Sequence, residues 1–285
     1  MRRLSVAASS LTRQLDALER DLGARLVNRS TRRISLTDAG ARYLDDARRI
    51  LDALEEADRG VRESDGPLRG TLRVSLPVAF ARLHVAPMLP GFLRRYPELN
   101  VDVRVSDGLV DLVEERIDVA IRLGALPSSS LIARKLAPHR RCLCASPDYL
   151  GEHGAPTMPK DLKTHRCLIF DDGAETAEWH FDAQDQTERI TVTGPIRANG
   201  SDVLREAAIG GSGLIVMPTW LVGPDVVAGR LRPALTDYEV HFGTPEGAIS
   251  AVTLPARRGA KAVRAFVDAL ATHIGSPPSW DRALL

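Results

Sequence analysis

The stretch LSVAASSLTRQLDALERDLGARLVNRSTRRISLT, running from Leu4 to Thr37, decides how the chain is read. Leu11, Leu15, Leu18 and Leu22 fall at i, i+4, i+7 and i+11, so they share one face of a helix. The opposite face carries Ser9, Ser10, Thr12, Arg13 and Gln14 near its N-terminal end. Short hydroxyls, an amide and a guanidinium at the start of a helix are the groups a recognition helix brings to phosphates and base edges. Gly23 ends the helix, because glycine accepts the left-handed backbone that closes a last turn. From Arg25 to Ser35 the pattern alternates weakly, which predicts a two-stranded wing carrying Arg25, Arg29, Thr31, Arg32 and Arg33. The candidate DNA contacts are Ser9, Ser10, Thr12, Arg13, Gln14, Arg29, Thr31, Arg32 and Arg33.

Charge supports this. Residues 1–36 hold eight arginines against Asp16, Glu19 and Asp21, a net of +5, whereas the whole chain carries +1. A solvated, charged helix is the plainer alternative, but the basic residues cluster at the helix start and the wing rather than alternating with acids.

The string SLTRQLDALERDLGARLVNRSTRRISLTDAG resembles the second half of the winged helix-turn-helix of a LysR-type transcriptional regulator. The pattern is hydroxyl-Arg-Gln-aliphatic, Leu-Glu, Leu-Gly-x-x-Leu, a basic wing, then Leu-Thr-x-x-Gly. The resemblance continues through DLVEERIDVAIRLGALPSSSLIARKLAPHRRCLCASPDYL. It implies a promoter-binding head, a linker helix that builds a dimer, and a two-lobed effector domain of the type 2 periplasmic-binding-protein fold. Two departures stand out. In the family a whole helix and most of another precede this point, and here only MRRLSV does, so a partial head is expected at residues 1–36. Ala7 and Ala8 stand where the family more often has Ser and Gln, which removes a helix cap and a polar contact.

At 285 residues, 44% of them apolar, the chain suits two or three domains. Cys142, Cys144 and Cys167 make no disulfide framework, which fits a reducing cytosol. No run approaches the ~18 apolar residues of a membrane helix, and no charged-then-apolar signal opens the chain, so a cytoplasmic protein without a membrane partner is expected.

Thr37 predicts an N-cap, with Asp38 in the first turn. A helical pattern follows to Glu63, with Leu44, Ala47, Leu51 and Leu54 in heptad spacing and Val61 continuing the seam beyond Asp58. So narrow an apolar stripe cannot hold a helix by itself. Pairing with a second copy is favoured over packing on the chain's own effector domain, which makes residues 37–66 the dimerisation linker of a homodimer or homotetramer. Ser64-Asp65-Gly66-Pro67 breaks the helix.

Beyond it the fold class is α/β. Thr71–Leu76, Val101–Val105 and Ile117–Ile121 read as strands of a parallel sheet, joined by a helix over Val78–Tyr96 and a short one begun by Ser106-Asp107. Two lobes are expected, the first formed by residues 67–145 and 249–275 and the second by 146–248, with a loosely held tail at 276–285.

Ligands of open α/β sheets bind beyond the carboxyl ends of the strands. That picks out Leu76, Pro77, Val78, Phe80, Ser106, Arg122, Leu123 and Gly124 from one lobe. From the other it picks out Asn199, Gly200, Ser201, Met217 and Pro218. Ordinary turn and cap chemistry is the alternative at each position. Helix starts after Leu76 and before Asp202 predict backbone N–H groups for the acidic end of a small anionic or aromatic organic effector, such as an organic acid. Arg122 either holds that acid or pairs with a nearby carboxylate.

Cys142-x-Cys144 beside His139 is too sparse for a metal site, and buried thiols are commoner; redox sensing is the remote alternative. No cofactor motif is present. G-x-S-x-G, H-E-x-x-H and the phosphate-binding G-x-x-x-x-G-K-[ST] are all missing from the sequence. Gly211-Ser212-Gly213 follows a helix and precedes a strand, the reverse of a dinucleotide turn. The sequence therefore reads as a DNA-binding transcriptional regulator modulated by a small molecule bound between two lobes. A truncated sensor that dimerises without binding DNA, a stand-alone solute-binding protein, or an enzyme built on the same lobes are the alternatives.

Overall fold

The computed structural model describes residues 8–29, 34–44, 46–47, 67–126, 130–171, 173, 176–183, 186–243 and 247–282. The chain divides into two compact units, residues 1–66 and 67–285.

In the first unit, helix α1 spans Ala8–Leu22. Gly23 closes it with φ +63° and an N–H to the Arg20 carbonyl at 3.2 Å. The Glu19 carboxylate accepts the N–H groups of Leu26 and Val27 at 2.7 and 3.0 Å, which fixes where the wing leaves the helix. Strands β1 (Val27–Arg29) and β2 (Ile34–Leu36) pair antiparallel, Val27 opposite Leu36. Thr37 caps the next helix, α2 (residues 38–44): its hydroxyl oxygen accepts the Gly40 N–H at 2.9 Å and its proton goes to the Arg25 carbonyl at 2.7 Å. A Cβ at position 40 would lie 1.8 Å from the Leu26 carbonyl oxygen. The Leu-Thr-x-x-Gly motif thus ends on the one residue type that lets α2 lie against the wing. Leu44 and Ala47 are half-buried. Leu51, Leu54 and Val61 of the expected seam lie outside the described residues.

The second unit opens with β3 (Gly70–Leu76), whose Leu72, Val74 and Leu76 are all buried. These three share one face of the strand, and Ser75 on the other face is buried too, as suits a strand with a neighbour on either side. A first sheet has the order β4-β3-β5-β15-β6, from β4 (Leu99–Val105), β5 (Val119–Gly124), β6 (Ile132–Pro138) and β15 (Ala248–Thr253). β3 runs parallel to β4 and β5, and β15 antiparallel to β5 and β6. A second sheet has the order β11-β8-β12-β7-β13, from β7 (Arg141–Ala145), β8 (Cys167–Phe170), β11 (Ile196–Ala198), β12 (Leu214–Pro218) and β13 (Arg232–Ala234). An antiparallel layer of β9 (Ala177–Ala183), β10 (Gln186–Val192) and β14 (Glu239–His241) joins the second lobe, its Trp179 and Phe181 packed in that lobe's own core. Among the described residues no helix is long and apolar enough to cross a membrane.

Four expectations are corrected. The helix from Val78 is not continuous to Tyr96. Helix α3 (Val78–Phe80) loosens into a π-helical turn at Ala81–Val85, and α4 starts afresh at Leu89–Arg95. The Ala86 N–H reaches back to the Ala81 carbonyl at 2.8 Å, and Pro87 and Pro90 have no N–H with which to carry the ladder on. Ser106-Asp107 begins no helix. Asp111 instead gathers the N–H groups of Val113 and Glu114 at 2.7 and 3.1 Å into one turn that ends at Arg116, φ +56°. The first crossing between lobes falls at His139-Arg140 rather than at 146, because β7 bonds to β12 and β13 of the second sheet. The segment after α8 (Lys261–Ile274) is packed, not loose: Trp280 is buried with its ring 4.5 Å from His84 and 6.4 Å from Phe80. Gly223 of helix α7 (Thr219–Val227) makes room for it, since a Cβ there would sit 2.6 Å from the Trp280 carbonyl oxygen.

Candidate functional site

A cavity of about 480 Å³ opens between the two lobes. The carboxyl ends of β3 and β5 and the loop from Ser106 to Val110 form one wall. The start of helix α6 (Ser201–Ile209) and the end of β12 form the other. Of the residues picked out from the sequence, Leu76, Pro77, Val78, Ser106, Arg122, Leu123, Gly200, Ser201, Met217 and Pro218 line it. Phe80, Gly124 and Asn199 do not. Phe80 is two residues beyond Val78 on a helix, so it points the opposite way. It is fully buried, edge-on to Trp220 at 5.4 Å. Gly124 ends β5 opposite Ala248, and Asn199 is exposed just past β11.

The polar groups in the cavity are distributed differently from the expectation. The Val78 N–H, predicted to be open to an anion, donates to Asp107 Oδ1 at 3.0 Å. Arg122 lines the cavity, and its Nη2 donates to the Val110 carbonyl at 2.8 Å, which ties down the apolar loop. Asp202 in the first turn of α6 takes Arg82 from the other lobe at 2.7 Å, a bond that spans the cleft. Helix α6 itself has no side-chain cap at Gly200.

Sequence reading missed His139, Arg141, Phe170, Trp220 and Phe242. Arg141 stacks over the Phe242 ring, its guanidinium carbon 4.8 Å from the centroid, and its Nε has no partner. Burial without a counter-ion pulls its pKa below the ordinary arginine value. His139 is buried with both ring nitrogens unpartnered, and burial, then the Arg141 charge, holds its pKa down to about 3. Both sit at the crossing between lobes, a location that no local pattern marks.

Behind the cleft, α6 is clamped to α7. Asp225 is fully buried and accepts both prongs of Arg205, Nε and Nη2, at 2.6 Å each, and Arg230 Nε at 2.8 Å. Cys144 and Cys167 are buried, and burial pushes the Cys167 thiol up to about 12. Among the described residues no group of three or more His, Cys, Asp or Glu is placed to hold a metal ion.

In the first unit, Thr12, Arg13 and Gln14 are exposed in the first half of α1, away from half-buried Leu15 and Leu18. Ser9 and Ser10 lie in the opening turn of the same helix, and Arg29 ends β1. Thr31, Arg32 and Arg33 lie outside the described residues.

A head with a basic wing and a separate two-lobed α/β unit with a ligand-sized cleft define a ligand-responsive DNA-binding regulator. Residues 2–41 match the bacterial regulatory helix-turn-helix of the lysR family, and residues 65–275 match the LysR substrate binding domain. The chain is similar to the transcriptional regulator PtxR of Pseudomonas aeruginosa, 34% identical over 277 residues, which cover 96% of this chain and 87% of that one. It is 32% identical over 278 residues to the regulator CrgA of Neisseria meningitidis, with 96% and 90% covered. The solved structure of CrgA superposes with a TM-score of 0.66 over 95% of this chain and 91% of that one, at 30% identity. The full-length virulence activator AphB of Vibrio cholerae gives 0.62 at 28% identity, with 93% and 89% covered. The chain belongs to the LysR family of transcriptional regulators. It is a DNA-binding protein whose activity is modulated by a small molecule bound by its effector domain.

Proposed function

We propose that the effector is an organic acid with an apolar body, seated in the interlobe cleft of about 480 Å³. The observation that carries this is Arg141, a cation in the cleft wall with an unpartnered Nε and a pKa depressed by burial. An acid supplies the missing counter-charge. Leu109, Leu126, Phe170 and Val203 offer it apolar cover. Closure of the lobes around the acid shifts their relative angle and hence the spacing of two DNA-binding heads. The heads contact DNA through Ser9, Ser10, Thr12, Arg13, Gln14 and Arg29, with Thr31, Arg32 and Arg33 on the wing. The helix that begins at Thr37 pairs two copies, and the protein works in the cytoplasm.

The test is a thermal-shift screen of aromatic and aliphatic acids on the whole chain, wild type beside Ser201→Trp. At one hundred times its dissociation constant an acid stabilises the wild type by about 2.7 kcal/mol. The Trp side chain fills the cleft and abolishes that gain while leaving the apo melting temperature nearly unchanged. An acid that stabilises both proteins equally binds elsewhere and removes the cleft from consideration.

A further inference from the structure

Nine buried side-chain nitrogen and oxygen atoms of the described residues have no hydrogen-bond partner. Two are the indole N–H groups of Trp220 and Trp280. The other seven belong to five residues that line one further cavity: His139 Nδ1 and Nε2, Arg141 Nε, Asp182 Oδ1, Thr219 Oγ1, and Asp281 Oδ1 and Oδ2. Orphaned polar atoms are rare in folded proteins because each costs its lost hydration. Their gathering around a single space of about 360 Å³ marks that space as built for a polar occupant. The chamber lies among β7, β13, β14 and the turn after α8. It shares only His139 and Arg141 with the wall of the interlobe cleft.

The chemistry of the orphans selects the occupant. Three of the seven atoms are carboxylate oxygens, which only accept; Arg141 Nε, the one that only donates, also faces the interlobe cleft, where the acid meets it. Asp281 is 1% exposed, and its nearest cation, Arg140 Nη1, stands 3.9 Å away, too far for a hydrogen bond. Asp182 takes His241 on Oδ2 at 3.0 Å, and the Thr187 hydroxyl opposite it on β10, then His241, hold its pKa down, while Oδ1 keeps no partner within hydrogen-bond reach. His139 is held neutral by burial, so it is no counter-ion. A buried carboxylate without donors is far costlier than a bare hydroxyl, and a cation with several N–H groups relieves that cost best. Leu143, Pro233, Leu235 and Val240 also line the space and suit a short carbon chain.

We infer that this chamber is a second ligand site, separate from the cleft, for a small organic ammonium compound. Its N–H groups donate to Asp281 and Asp182, Thr219 takes a remaining polar group, and its carbons lie on Leu143 and Val240. Because His139 belongs to the crossing between the lobes, occupancy bears on the same segment that the cleft ligand touches. This site does not depend on the effector being an acid.

The experiment is a set of thermal melts of the whole chain with primary alkylamines of two to six carbons, each beside the alcohol of the same length. At ten times its dissociation constant an amine raises the melting temperature by roughly 3–6 °C. The alcohol gives no comparable shift. The gain persists in Ser201→Trp, which blocks the cleft alone, and disappears in Asp281→Asn and in Asp182→Asn. The Asp182 side chain is 40% exposed, so that second variant keeps the test sound should Asp281→Asn fail to fold. Alcohols that match the amines would make the chamber a hydroxyl site and overturn the assignment. So would the absence of any shift at about 10 mM amine, which leaves water as the occupant, or a shift retained in Asp182→Asn.

Discussion

Removing the Asp225 carboxylate takes away the acceptor that clamps α6 to α7. Asp225 is fully buried, and both its oxygens are taken by the Arg205 fork at 2.6 Å, while Arg230 adds two more donors, Nε at 2.8 Å and Nη2 at 2.5 Å. The Arg205 side chain is 15% exposed, so Asp225→Ala leaves a nearly dry guanidinium whose one remaining partner among the described residues is the exposed Glu206 carboxylate on Nη1. Breaking such a pair from one side costs about 3–5 kcal/mol. Arg230, 51% exposed, returns to water and adds about 0–1 kcal/mol at most. For a unit of this length, each kcal/mol moves the melting temperature by about 2–4 °C, so the variant should melt roughly 6–20 °C below wild type. Calorimetric or circular-dichroism melts of the whole chain measure it. The decisive comparison is the double variant Arg205→Met with Asp225→Ala. With no charge left stranded it should recover most of the loss. A fall of under about 2 °C in Asp225→Ala, or a double variant that falls as far as the two singles added, would refute the reasoning.

Three further outcomes follow from other parts of the chain. The net +5 of residues 1–36 makes DNA affinity largely electrostatic, so Arg32→Ala should flatten the plot of log K against log salt by about one unit; equal slopes in gel-shift titrations would count against a phosphate contact there. Leu51→Asp should place an unpaired charge in the heptad seam and weaken self-association by several kcal/mol, about the cost of one buried charge; light scattering that still finds the wild-type assembly at micromolar concentration would move the seam elsewhere. His139, held to about pKa 3 against 6.5 when unfolded, refuses a proton that the unfolded chain accepts, so its contribution is present above pH 6.5 and is lost as pH falls from 6.5 toward 3. At pH 5 that loss is about 2 kcal/mol, and His84, His165 and His180, also shifted down by burial, add to it with the same sign. His139→Asn should lessen the drop in denaturant midpoint between pH 7.5 and 5, and an unchanged drop would show that His139 is not the group responsible.

What was legible in the sequence was what repeats at short range. The leucine face of α1, the Gly23 stop, the Thr37 cap and the strands β3 and β4 are set by neighbours within one or two turns, whereas β5 starts at Val119, two residues later than the apolar pattern suggests. Gly40 had a pattern but no visible cause until the Leu26 carbonyl was found where its side chain would be. The misreadings share another origin. Val78 and Phe80 stand two apart just beyond the end of β3, and a helical turn sends them to opposite sides. Pro87 was read as compatible with a long helix, although its missing N–H forces the break after the π-helical turn. His139 and Arg141 carry no motif. Their character comes from burial at the crossing, and burial by distant segments leaves no trace in a local window. Trp280 looked like a tail residue for the same reason, since its pocket is made by Phe80, His84 and Gly223.

The two chain passages between the lobes run side by side. The His139 N–H donates to the Gly247 carbonyl at 3.1 Å, Pro138 stands opposite Ala248, and position 247 has no room for a Cβ against Gly124. A pair of hydrogen-bonded strands resists stretching and shearing far more than it resists twist. The lobes also share one buried cluster, in which Phe80 lies edge-on to Trp220 at 5.4 Å and His84 Nε2 meets the Trp220 carbonyl at 2.9 Å. Twisting one lobe on the other therefore works against packed rings as well as against the Arg82–Asp202 bond. A ligand that changes their angle has to repack that seam, so the response falls between discrete packings rather than along a continuous scale.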